Sequence, residues 1–195
     1  TTAGKMNFWG SMTLKATELV NGGFLAIISQ TMKLVNSLDQ AMVSFKRSTG
    51  AAEEFTRIIP SLEKEFYNLG LSAEDAASVV GSLYSSMTGF TRLAPSAKRA
   101  VLETTAVLET MGVDAETTAK NMEILNRSMG YSGQQAAAIT QQLFTLSQQL
   151  GISTNKMMSD FTRLGPQLVV HGQRAVQVFV RLAAAAKASG IEVDR

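Results

Sequence analysis

The chain is 195 residues long, one generous domain or two small ones, and 45% of it is apolar, enough to bury a core. Charged residues make up only 17% and mean hydropathy is +0.07, so Ser, Thr, Gln and Gly supply the polarity and high-charge disorder is excluded. A net charge of +2 is too small for a dedicated nucleic-acid binder, and zero cysteines with one histidine, His171, exclude disulfides, thiolate chemistry and multi-histidine metal sites.

The chain opens on Thr1, with no basic segment leading into an apolar run, and reads as a piece of a longer chain or a processed product. Phe8, Trp9, Met12, Leu14 and Leu19 suggest a first helix, and Asn21, Gly22 and Gly23 a hinge after it. From Phe24 to Phe45 one heptad row holds Phe24, Thr31, Leu38 and Phe45, another Ile28, Val35 and Met42, and an adjacent row Ile27, Leu34 and Ala41. This broad apolar seam fits a helix buried in its own bundle and equally a multi-chain coiled coil. In the second case Phe24, Ile28, Val35, Leu38, Met42 and Phe45 form the interface between copies. The division expected is 1–50, an N-terminal helical segment carrying the seam, and 51–195, a multi-helix bundle or array.

Beyond residue 50 apolar residues recur three and four apart and no strand pattern stands out, so the fold class is all-α. Gly70, Gly112, Gly130, Gly151 and Gly190 are each followed by Leu, Val, Tyr or Ile, and four of them then by Ser72, Asp114, Ser132 or Ser153. Glycine closes one helix, the apolar residue packs back on it, and the hydroxyl or carboxylate caps the next. With Gly50, Pro60, Pro95 and Pro166 these corners predict helices near 24–48, 52–69, 73–91, 95–111, 115–129, 133–150, 154–164 and 167–189. Their short connections predict antiparallel neighbours.

One string recurs: FTRIIP at Phe55–Pro60, FTRLAP at Phe90–Pro95 and FTRLGP at Phe161–Pro166. Leu125, Asn126 and Arg127 stand at the missing step, so Arg57, Arg92, Arg127 and Arg163 fall about 35 residues apart, a spacing that suits a two-helix unit. The glycine corners keep a different phase, which leaves a decayed repeat and a coincidence both open.

Chemistry is scarce. Glu74, Asp75 and Glu116 lie in first turns, where the helix dipole favours negative charge, and no partner group makes them catalytic. Gly4 and Lys5 lack the rest of a phosphate loop, and His171 has no nucleophile and carboxylate assignable by spacing. Lys98, Arg99, Arg174, Arg181 and Lys187 read as a solvated helical surface, and Met111, Met122, Met129, Met157 and Met158 as core. The uncharged stretch Ser128–Asn155 carries six glutamines that hydrocarbon would not accept, and Leu19–Met32 is too short to span a bilayer. No catalytic residue, cofactor or metal ligand is expected.

Several strings in order resemble the tail tape measure proteins of bacteriophages: SFKRSTGAAEEF at Ser44–Phe55, LGLSAEDAASVVGSLYSSM at Leu69–Met87, MGYSGQQAA at Met129–Ala137, LGIS at Leu150–Ser153 and RLAAAAKASGIEV at Arg181–Val193. The likeness covers about residues 40–195. It implies a structural virion protein that is no enzyme, is assembled in the bacterial cytoplasm, fills the tail tube lumen, sets tail length and leaves ahead of the genome. It implies as partners further copies of the chain, as trimer or hexamer, with the tail tube, baseplate hub and tail assembly chaperones, and contact with a host membrane after ejection. Specific nucleic-acid binding is not implied. The family brings no catalytic motif to this region, so no residues carry over as a site. A single helix of this length would extend roughly 290 Å at about 1.5 Å per residue, and the corners forbid it. A helical-repeat adaptor and a membrane-active helical module are the rival readings.

Overall fold

The computed structural model describes residues 32–33, 35–50 and 53–190, and every regular element among them is helical. The chain divides into two compact units, Thr1–Gln40 and Ala41–Arg195. The division falls before the expected one at residue 50, because Ala41 and Phe45 on the first described helix, α1 (35–49), are buried within the second unit. Phe45 sets its ring edge-on to Tyr84, centroids 6.3 Å apart. The start expected for this helix near residue 24 lies outside the described residues.

The second unit continues with α2 (Glu53–Thr56), α3 (Ile58–Phe66), α4 (Ala73–Ser86), α5 (Pro95–Thr110), α6 (Ala115–Glu123), α7 (Gly133–Leu150), α8 (Thr154–Leu168) and α9 (Ala175–Ser189). From α3 onward each helix packs on the next helix in the chain and on the next but one. That connectivity makes two layers, α3, α5, α7 and α9 in one and α4, α6 and α8 in the other. Apolar stripes face the seam between them: Ala76, Val79, Val80 and Leu83 of α4, Val101, Leu102 and Leu108 of α5, Phe161 and Leu168 of α8, and Phe179 of α9 are buried. A helix with a wide apolar stripe needs several neighbours, and stacking supplies them.

The corners fall in two rows. In the first, Gly70, Gly112 and Gly151 follow α3 with its terminal 3₁₀ turn, α5 and α7, all with positive φ (90°, 80° and 61°) that favours glycine. The following apolar residue donates back five residues, Leu71 N to Phe66 O (3.3 Å), Val113 N to Leu108 O (2.9 Å) and Ile152 N to Ser147 O (2.9 Å), the closure expected of such a corner. Ser72 then caps α4 reciprocally with Asp75, and Asp114 accepts from Thr117 N at 2.7 Å. Ser153 departs from the pattern and makes no side-chain cap. Successive corners are tied together: the Asn155 amide donates to Gly112 O and accepts from Asp114 N, and Lys187 Nζ donates to Gly151 O.

The second row is irregular. After α4 comes a 3₁₀ turn, Phe90–Arg92; α6 runs into a π turn, Ile124–Ser128; and α8 passes into a 3₁₀ segment, Val169–Arg174, broken at Gly172 (φ 53°, ψ −130°). These corners are also linked, by Arg127 to Thr88 Oγ1 (3.3 Å) and by Tyr131 Oη to the Gln173 carbonyl (2.8 Å). Ser132, with Gln135, forms a second reciprocal cap at the start of α7.

Proline corrects two expected boundaries. Pro166 sits inside α8, and the break between the last two helices falls at Gly172 instead. The lost N–H and ring crowding cost about 3 kcal/mol, and burial of Phe161 and Leu168 on either side offsets this. Pro60 is the third residue of α3, where its N–H would have no intrahelical partner, so the helix expected over 52–69 divides at Arg57.

Candidate functional site

Of the six seam residues, Phe24 and Ile28 lie outside the described residues. Val35 is 59% exposed, with Met32 one turn earlier at 63%; Leu38 and Met42 are half-buried, and Phe45 is turned into the core. The seam thus offers an exposed apolar side chain at Val35 and an internal core contact at Phe45.

The recurrence places its leading Phe or Leu consistently although the backbone around it differs. Phe55, Phe90, Leu125 and Phe161 are all buried, in α2, a 3₁₀ turn, the π turn and the middle of α8. Phe55 and Phe90 meet at 5.9 Å between centroids, and Lys98 Nζ lies over both rings, at 5.2 and 5.8 Å. Lys98 thus anchors the start of α5 rather than serving as a plain solvated cation. Phe161 stacks edge-on against Phe179 at 5.0 Å. Arg57, Arg92, Arg127 and Arg163 are all exposed.

Those arginines differ in their partners. Arg57 pairs with Glu53 at 2.8 Å, which pulls the Glu53 carboxyl below its ordinary range. Arg163 holds the buried Asp160 at 2.6 Å. Arg127 reaches Thr88 and lies 3.5 Å from a Glu123 carboxylate oxygen. Both Glu123 oxygens are shut from solvent and accept no hydrogen bond. Arg92 and Arg127 together line a cavity of about 230 Å³ between the Thr88–Arg92 turn and the π turn, with Thr88, Gly89, Glu123 and Asn126 as its other walls. The Asn126 amide donates to the Tyr131 carbonyl at 2.7 Å, fixing that corner. Sequence reading did not join these segments, although the spacing of Arg92 and Arg127 was the signal.

Elsewhere the outer surface of α7 is a field of neutral amides: Gln134, Gln135, Gln141, Gln142, Gln148 and Gln149 are all exposed. Two shallow grooves flank it, one shared with α3 and α5 and the other with Val180 of α9. Gln141 Nε2 donates across the first to Thr104 at 3.0 Å. Met122, Met129, Met157 and Met158 are buried as expected, but Met111 is exposed at its corner. His171 sits exposed in the 3₁₀ segment. Among the described residues no cluster of three or more His, Cys, Asp or Glu could hold a metal, and no helix is long and apolar enough to cross a membrane.

No protein family, curated protein or solved structure matches the chain.

Proposed function

We propose that this chain is a folded helical segment of a phage tail tape measure protein, a non-catalytic component of the tail lumen whose copies associate through the N-terminal seam. The observation that carries the proposal is the exposure of the seam residue Val35 on α1, with the apolar Met32 exposed just ahead of it, while Ala41 and Phe45 on the neighbouring rows are buried. Exposed apolar side chains at the start of such a seam are what a second copy would cover. The charge-free glutamine surface of α7 supports the same reading, because a passenger in a tube has to pack without adhering to its wall.

The second reading, a helical-repeat scaffold, is favoured by the two-layer connectivity, in which each helix from α3 packs on the next and the next but one. Light scattering on residues 1–195 separates the two. The tape measure reading expects a trimer or hexamer that dissolves when Ile28, Val35 and Met42 are all changed to Ser. A wild-type monomer would sink seam association and leave the scaffold.

A further inference from the structure

The recurrence that runs through the stack leaves one of its four arginines without a partner. Arg57, Arg127 and Arg163 each face a carboxylate, whereas Arg92 makes no ion pair or side-chain hydrogen bond among the described residues. It is also one of two guanidiniums lining a single cavity, the other being Arg127 from the next step of the recurrence.

Two features mark the same place as more than a random concavity. The backbone there forms a π turn, Ile124–Ser128, a local widening that helices adopt mostly where a particular side-chain arrangement is needed. Behind Arg127 lies the Glu123 carboxylate, shut from solvent with neither oxygen hydrogen-bonded, and a buried charge so poorly satisfied costs stability. It holds the exposed Arg127 guanidinium at the cavity wall and makes Glu123 a positioning residue.

We infer that this cavity is a recognition site for a carboxylate, presented by an acidic side chain of a partner protein. Arg92 supplies the planar fork that accepts a carboxylate bidentately, and Arg127 adds a second positive charge. The charge balance selects among anions. Two guanidiniums against Glu123 leave one net positive charge, which matches a singly charged carboxylate and leaves a phosphate dianion under-compensated. At about 230 Å³ the cavity is smaller than the roughly 300–1,000 Å³ of sites for drug-sized ligands, and suits a single side chain. The inference is independent of the tail reading, since it uses neither the seam nor α7.

The test is an amide-shift titration of ¹⁵N-labelled residues 1–195 at fixed ionic strength with N-acetyl-glutamate methylamide, acetate, phosphate or chloride. The capped glutamate should move the amides of Thr88, Gly89 and Asn126 saturably. Arg92→Gln should weaken it by about tenfold, roughly 1.4 kcal/mol, while Arg57→Gln, an equally exposed arginine of the same recurrence, leaves it unchanged. Acetate binding as well as the capped glutamate would keep the carboxylate site and assign it to free small acids. Shifts that never saturate, equal shifts with chloride, tighter binding of phosphate, or equal damage from the Arg57 change would each overturn the site.

Discussion

The two rows of corners in the stack show two ways of turning a helical chain. At Gly70, Gly112 and Gly151 the turn is written in a few consecutive residues, and the same hydrogen bonds recur each time. At Phe90–Arg92, Ile124–Ser128 and Val169–Arg174 no common backbone recurs, and what the recurrence keeps is a buried Phe90, Leu125 or Phe161 with an exposed Arg two residues on, the last of them within α8 ahead of its corner. In the first row local chemistry decides the conformation. In the second the core position of one side chain is kept and the backbone adjusts to it by 3₁₀, π or α geometry.

That difference predicts where substitutions hurt. The second row should be broken most by crowding at Gly165, because a Cβ built there lies 2.9 Å from Ile124 Cδ1 and 3.1 Å from its Cγ2, where α8 crosses the π turn. Gly165→Ala should cost about 1–3 kcal/mol in urea unfolding, and Ile124→Val, which removes the nearest methyl, should recover part of it. If the pair is additive, with no recovery, the close approach of α8 to the π turn is not what sets that corner.

The first row should instead respond to its caps one at a time. Ser72→Ala removes a reciprocal cap and should cost about 1 kcal/mol. Ser153→Ala, at a corner with the same sequence pattern but no cap hydrogen bond, should stay within about 0.5 kcal/mol of wild type. Equal losses at the two serines would mean that the shared sequence pattern, rather than the observed bonds, predicts the energy.

The same contrast explains what could be read in advance. The helical class, the glycine corners and the caps at Ser72, Asp114 and Ser132 were legible because each depends on residues within one turn of one another. Pro166 was misleading: a local rule ends a helix there, and the packing of Phe161, Gly165 and Leu168 carries it through. The cavity at Arg92 and Arg127 was only half legible. The recurrence brought out both arginines, but their sharing one wall depends on α4 packing against α6, a contact between segments far apart in the chain. At the Ser153 corner the side-chain bonds come instead from its neighbours, Thr154 with Ser147 at 2.6 Å and Asn155 with the Gly112 corner, contacts that no local pattern announces.

The smallest effect sharpens the comparison from the first row, where acidic residues of successive corners converge. Burial pushes the Glu109 carboxyl above its ordinary value, the charges of Asp114 and then Asp75 push it further, and the Ala115 N–H opposes them. One of its oxygens is buried without a hydrogen bond. The folded protein therefore holds this proton more tightly than the unfolded chain. The stability that the proton provides is present below about pH 4.5 and is lost as pH rises through the folded pKa. Glu109→Gln keeps the shape and removes the titration. It should be more stable than wild type at pH 7, and that advantage should shrink as pH falls toward 4.5 in urea midpoints taken across the range. Parallel curves for the two proteins would show that the Glu109 carboxyl ionises as freely as an exposed one, and that the corners meet without electrostatic cost.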